Sequence, residues 1–369
     1  MARARSGFKK APIIKAFTIV AAALLALFQL PSSWIERFYS NGIYPLIQPP
    51  LAFVSNSVPF AIMDVLIFAA FVGLVGWWWI RIAKAGRGAR LRAALAMAIN
   101  TAVFGSALFL VFLLAWGFNY GRLPLTSRLD YDEHRISRDA LARQTVSAIT
   151  ELNRLGIKLH AEPAPSDDDW MKKLLPSLNA VIADFGRRRG IGVSKPKRSL
   201  LDAYIAATGT PAFIDPFASE VIADSRLLAI EKPGIIAHEW AHIAGYADES
   251  EAGYVGLLAC MRSISPFVRY SGLLNLYPYL RSAAAPWTQE EIEKIPRFAP
   301  EVIEDFKSIS SRQNERYHPR ISSVQWKIYD KFLKANHIKE GTENYGLLLN
   351  LLLGIRYEQE WVPAVDRPE

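Results

Sequence analysis

One cysteine, Cys260, is present in 369 residues, so no intrachain disulfide can form and a disulfide-stapled scaffold is excluded. Repeats and low-complexity runs are missing too, and a hydrophobic content of 51% rules out a disordered or collagen-like chain. Acidic residues are lacking from two stretches. Residues 1–15 carry Arg3, Arg5, Lys9, Lys10 and Lys15, and residues 81–92 carry Arg81, Lys84, Arg87, Arg90 and Arg92, with no Asp or Glu in either. These basic residues together exceed the net charge of +8, so the rest of the chain is slightly acidic. From Phe118 onward there is no electrostatic footprint for DNA or RNA, and no nucleic-acid partner is expected.

Charge is nearly missing from three apolar runs, at residues 12–31, 59–80 and 93–117, each long enough to cross a bilayer core of about 20 helical residues. The second ends in Trp77, Trp78 and Trp79 and the third in Trp116 and Tyr120, rings suited to the headgroup region. Asp64 is the costly member of the second run; a carboxylate there must face protein or water, and a polar contact between helices is the simplest role. Basic flanks mark cytoplasmic sides. The amino terminus and the 81–92 loop are therefore predicted inside, the loop between the first two spans outside, and everything after about Phe118 extracytoplasmic. Reading the first run as a cleaved signal peptide is disfavoured, because FQLPSSW offers no small-x-small cleavage site.

The expected organisation is a membrane anchor over 1–117 and a domain over 118–369. Ser137 is placed to cap a helix to about Leu155, and PAPSDDD reads as a linker and acidic N-terminal turn before another from Trp170 to about Phe185, with Arg187 to Arg189 favourable at its end. SLLDAYIAATG and SEVIADSRLLAI read as strands, and the chain from Gly253 onward as mostly buried helices. The fold class is therefore α+β, mainly α, with a small sheet.

Histidine is scarce, six in all, yet two fall in one pentapeptide, HEWAH at 238–242. On a helix the H-E-x-x-H pattern stacks His238 and His242 one turn apart so that both imidazoles reach one metal ion, while Glu239 is placed to hold a water. Pro233 suits the first turn of such a helix and Gly245 a left-handed stop. A catalytic zinc takes three protein ligands and keeps one position for water. Three acids follow the turn. Asp248 would complete H-E-x-x-H-x-x-G-x-x-D, whereas Glu249 and Glu251 lie in the first turn of a new helix. A ligand-bearing helix must approach closely, which demands small residues on its ligand face. From Glu249 that face holds Ala252, Gly253 and Gly256; from Glu251 it holds Tyr254 and Val255. Sterics therefore favour Glu249, with Glu251 the alternative third ligand.

HEWAHIAGYADESEAG resembles the H-E-x-A-H-x-x-G-x-A-x-E-x-E-A-N run of a bacterial family of multi-pass membrane proteins of unknown function that carries a gluzincin-type metallopeptidase signature. WGFNYGRLPL, DPFASE at 215–220 and YDKFLKANHIKEGTENYG extend the likeness from the first span to about Gly354. The resemblance implies a zincin-like domain in the bacterial cell membrane, Zn2+ held by His238, His242 and Glu249, and a peptide or protein substrate. Gly253 departs from the pattern's Asn, leaving open what orients the histidines, and Ala218-Ser219 replaces a Thr-Gly pair.

Metal-assisted hydrolysis is thus the leading expectation, with Glu239 as general base. His318, Tyr317, Tyr204 and Tyr345 are candidates by type to stabilise an oxyanion. Glu220 begins a run that is either an edge strand for an extended peptide or a solvent-facing strand. His134, His160 and His337 receive no role, and Cys260 reads as a buried apolar residue. Intramembrane proteolysis is disfavoured because Glu231, Lys232 and Asp248 bracket a helix too short to span. A non-catalytic scaffold with a structural metal is the other alternative; it leaves Glu239 without a purpose.

Overall fold

A computed structural model describes residues 10–187, 189–284 and 287–365. Arg3, Arg5, Lys9 and Arg188 lie outside them. Helix α1, Lys10–Leu27, stops short of the expected residue 31 because Pro31 disfavours helical geometry at Leu30. The chain then bends by 109° into a second helical stretch, Ser32–Asn56. That stretch comprises α2 (Ser32–Trp34), a π-helical segment (Ile35–Ile43) and α3 (Tyr44–Asn56). Next come α4, Ile62–Lys84, and α5, Arg90–Ala115. Among the described residues these two are long and apolar enough to cross a membrane, and there are up to three candidate spans if the bent pair counts as one.

The expected outer loop between the first two spans is instead this Ser32–Asn56 helical stretch, held down by the later part of the chain. Tyr44 donates to the carbonyl of Ile243 at 2.7 Å, and the Gln48 amide exchanges bonds with the backbone of Gly192 at 2.6 and 3.0 Å. Asp64 sits in the first turn of α4 and bonds Ser199 Oγ at 2.6 Å and Leu200 N at 2.7 Å, so its partner is a loop of the later domain rather than another span.

Helix α6, Arg138–His160, is capped by Ser137, and α7, Asp167–Asp184, by Ser166, with three aspartates in its first turn facing the positive end of the helix dipole. SLLDAYIAATG is not a strand. Asp202 accepts from Ser225 N and Oγ, and α8, Asp202–Thr208, runs until Gly209 turns left-handed at φ 75°. The expected strand in SEVIADSRLLAI is confined to β2, Glu220–Ala223, which pairs antiparallel with an unforeseen β1, Ala212–Asp215, with Asp215 opposite Glu220. Lys197 bridges the far side of β2 in parallel, so β1, not β2, is the free edge.

Helices α9 (Lys232–Ile243), α10 (Glu249–Met261) and α11 (Pro266–Ala283) follow. After them come α12 (Gln289–Glu293), α13 (Pro300–Arg316), α14 (Pro319–Ala335) and α15 (Leu348–Gly354). A small hairpin, β3 (Tyr357–Gln359) with β4 (Val362–Pro363), closes the described chain. The protein is mainly helical with two small sheets. Helix α10 is apolar on nearly every side and is buried between α7, α9, α11 and α15, as such a helix must be. Trp240, within HEWAH, and Trp170 of α7 are also buried, and their rings meet at 6.4 Å.

Candidate metal centre

The HEWAH helix is bounded at both ends: Pro233 occupies the first turn, where no amide partner is needed, and Gly245 adopts φ 87° just beyond the end. The last carbonyls of α9 are each capped from elsewhere. Trp116 Nε1 donates to His242 O at 2.8 Å, Tyr44 to Ile243 O, Arg187 to Ala244 O, and Arg122 to Gly245 O at 3.0 Å. Two of these donors are guanidinium groups, which favour the negative end of the helix dipole.

His238 Nε2, His242 Nε2 and Glu249 Oε2 converge, with separations of 3.0 Å between the imidazoles and 3.1 Å from each to the carboxylate. Three ligands at about 2.1 Å from one ion in tetrahedral array stand about 3.4 Å apart, so the spacing suits a metal such as zinc. His242 Nδ1 donates to the Tyr246 carbonyl at 2.7 Å, so in the neutral imidazole Nε2 is the nitrogen left as an acceptor. The group could hold a metal ion through two imidazole nitrogens and one carboxylate oxygen. Burial opposes charge on both His242 and Glu249, but their mutual attraction outweighs it: the His242 pKa is pushed up to about 9, and the Glu249 carboxyl is held well below the usual range.

Close approach of α10 to α9 makes this possible. A Cβ on Gly256 would lie 2.8 Å from the His238 backbone nitrogen, so the small face predicted from Glu249 does lie against the HEWAH helix. Glu251 points elsewhere and accepts from Leu125 N at 2.6 Å; burial and Asp248 push its pKa up to about 7. Asp248 caps α10, accepting from Glu251 N at 3.1 Å and from Asn344 at 2.8 Å. Only Glu249 of the three acids joins the histidines. Where a longer side chain could orient His238, Gly253 leaves a cavity of about 20 Å³ bordered by Asn275 and Tyr279, room for one water.

Glu239 is buried on the same helix, and its Oε2 has no hydrogen-bond partner. Burial raises its pKa, the two histidines opposing. Glu239 lines the same cavity as the three converging donors.

Of the four oxyanion candidates, Tyr345 and Tyr204 reach the cavity wall over His238. The Tyr345 ring stacks on His238 at 6.1 Å, and its hydroxyl pairs with Glu249 and Tyr329. Tyr204 bonds Gln325 at 2.7 Å. Tyr317 packs toward Gly209 and the His318 amide donates to Ala207 O, so neither lies at the site. Two residues escaped the sequence reading. Tyr329 donates to Glu249 Oε1, and Tyr120 lines the same cavity; burial and the Glu249 charge hold both phenols protonated. Glu220 is neither solvent-facing nor on the edge strand. Fully buried, it bonds Lys197 at 3.0 Å, Ser55 at 3.0 Å and the Met63 amide at 2.8 Å, tying β2 to the start of α4. Cys260 is buried, and burial pushes its thiol pKa up.

Fold and site together define, among the described residues, a helical protein with two to three candidate membrane spans and a His-His-Glu group, with His242 and Glu249 buried, lining a cavity of about 380 Å³. The chain belongs to the family described as "Protein of unknown function (DUF3810)", which it matches over residues 39–353. No curated protein and no solved structure matches it.

Proposed function

We propose that this chain is a membrane-anchored zinc metallopeptidase, with His238, His242 and Glu249 as metal ligands and Glu239 as general base. The observation that carries the reading is three lone-pair donors held 3.0–3.1 Å apart around one point, beside a buried carboxylate oxygen with no partner. Donors so close repel unless a cation or protons lie between them.

When bound, the ion supplies Lewis-acid polarisation of a carbonyl and makes water acidic enough to attack near neutral pH. The chain's own groups do the rest. Glu239 takes the proton of the attacking water and delivers it to the leaving amine. Tyr345 and Tyr329, whose hydroxyls both pair with Glu249, fix its carboxylate. Beside the cavity, Ala212, Phe213 and Ile214 of the free β1 edge offer backbone bonds to an extended peptide. With basic flanks inside, the 118–369 domain faces the extracytoplasmic side.

Glu239→Gln tests the reading in the full chain. Turnover of a peptide library is expected to fall by about 100-fold or more while bound zinc is unchanged. Equal turnover in wild type and variant contradicts the assignment, and zinc binding without any turnover in the wild type favours a metal-bearing scaffold.

A further inference from the structure

Helix α14 carries three rows of side chains at spacings of four, and the rows meet different surroundings. Gln325, Tyr329 and Leu333 face the protein: Gln325 accepts from Tyr204 at 2.7 Å, Tyr329 donates to Glu249, and Leu333 is buried. On one side of that row, Val324, Ile328 and Phe332 are 59%, 60% and 40% exposed. Beyond them, Ser323, Lys327 and Lys331 form an exposed polar row. Lys334 pairs with Asp330 at 2.8 Å, whereas Arg320, Lys327 and Lys331 have no acidic partner among the described residues. An exposed apolar row flanked by unpaired cations is the composition of a helix lying in a bilayer interface.

The candidate spans fix the level of this helix. A turn at residues 85–89 joins α4 to α5, so the start of α4 and the end of α5 lie at one and the same membrane face. Helix α14 sits at that face. Its Phe332 ring meets Phe112, in the last turn of α5, at 6.4 Å. Trp326 and Tyr329 share the metal-site cavity wall with Met63 and Ile67 from the start of α4. Asp64, in the first turn of α4, holds the backbone of Leu200, whose side chain is 89% exposed at the same level. The apolar row of α14 therefore lies where the spans leave the hydrocarbon.

Charge selects what covers the row. A second copy docked through its own α14 would set these cations against their own kind, and a wholly apolar partner helix would leave them unpaired. Anionic headgroups above an acyl layer satisfy both rows at once. We propose that α14 docks on an anionic bilayer surface, with Val324, Ile328 and Phe332 in the boundary between headgroups and acyl chains and Arg320, Lys327 and Lys331 on lipid phosphates. Because the opposite row of α14 walls the metal site, this docking sets that site at the membrane surface. The docking does not depend on hydrolysis.

Spin labels on the full-length chain test this in phosphatidylcholine vesicles with and without phosphatidylglycerol. Cys260 is buried and its thiol pKa is raised, so a cysteine introduced by Val324→Cys, Ile328→Cys or Ser323→Cys takes the label. With phosphatidylglycerol present, the Val324→Cys and Ile328→Cys labels are expected about 5–10 Å into the boundary between headgroups and acyl chains. There they collide with oxygen more than with a water-soluble nickel complex, and the Ser323→Cys label does the reverse. Omitting phosphatidylglycerol, or adding Lys327→Glu with Lys331→Glu, should move the Ile328→Cys label toward water, with helix content by circular dichroism unchanged. Labels in water at all three positions overturn the proposal, as does a depth that ignores both the anionic lipid and the charge reversal. Spin–spin broadening between chains that disappears on dilution with unlabelled protein assigns the row to a second copy and overturns it equally.

Discussion

Trp116, at the end of α5, donates its indole N–H to the carbonyl of His242 at 2.8 Å, so a candidate membrane span holds the helix that carries both histidines. Trp116→Phe keeps the aromatic contacts and removes that one bond from a buried carbonyl. Zinc affinity of the full chain should fall about fivefold, in line with about 1 kcal/mol for a lost hydrogen bond, with unchanged helix content by circular dichroism. Unaltered affinity in a zinc titration would show that the span does not position the site.

Lys197 and Glu220 form a buried ion pair at 3.0 Å, and Glu220 also caps α4 through the Met63 amide. Removing one partner strands a charge in the interior. Lys197→Met is expected to cost about 3–5 kcal/mol in thermal unfolding, and adding Glu220→Gln to recover part of it. Two single-variant costs that simply add would argue that the pair is not coupled.

Gly256 and Gly253 are separated by one helical turn but differ in what a side chain would meet. A Cβ at Gly256 would strike the α9 backbone at 2.8–3.0 Å, whereas at Gly253 the nearest atoms lie 3.6–3.8 Å away. Gly256→Ala should therefore lower stability by about 1–3 kcal/mol and weaken metal binding by pushing α10 from α9, while Gly253→Ala is tolerated. Melting temperatures of the two variants check the contrast.

Asp215 stands opposite Glu220 in the hairpin, buried, with Oδ2 unpaired; burial, with Glu220 adding, raises its pKa to about 6. A folded pKa above the unfolded value of about 3.9 means that the carboxyl favours folding when protonated and loses that advantage as pH rises through 6. Asp215→Asn lacks this titration. Its unfolding free energy should gain on wild type by about 2 kcal/mol between pH 4 and pH 6, measured by denaturant titration at each pH. Parallel profiles would show that the Asp215 pKa is unshifted.

Local chemistry made some of this legible in sequence. Ser137 caps the helix it was expected to cap, Pro233 and Gly245 bound the HEWAH helix, and the small face of α10 follows from Ala252, Gly253 and Gly256. What failed depended on distant partners. Residues 32–56 looked like a loop, with Asn41-Gly42 and three prolines, yet Tyr44 and Gln48 hold them helical against residues near 192 and 243. The apolar run around Tyr204 looked like a strand, but Asp202 finds Ser225, and Gly209 ends a helix. Tyr329 reaches Glu249 across 80 residues of chain, a contact that no local spacing announces.

Metal analysis of the full-length chain tests the central claim most directly, comparing wild type with Glu249→Ala and with Glu251→Gln, which keeps an acceptor for Leu125 N. The account predicts about one equivalent of zinc in wild type and Glu251→Gln and none in Glu249→Ala. A wild type without stoichiometric metal, or metal lost from Glu251→Gln and kept in Glu249→Ala, would contradict it.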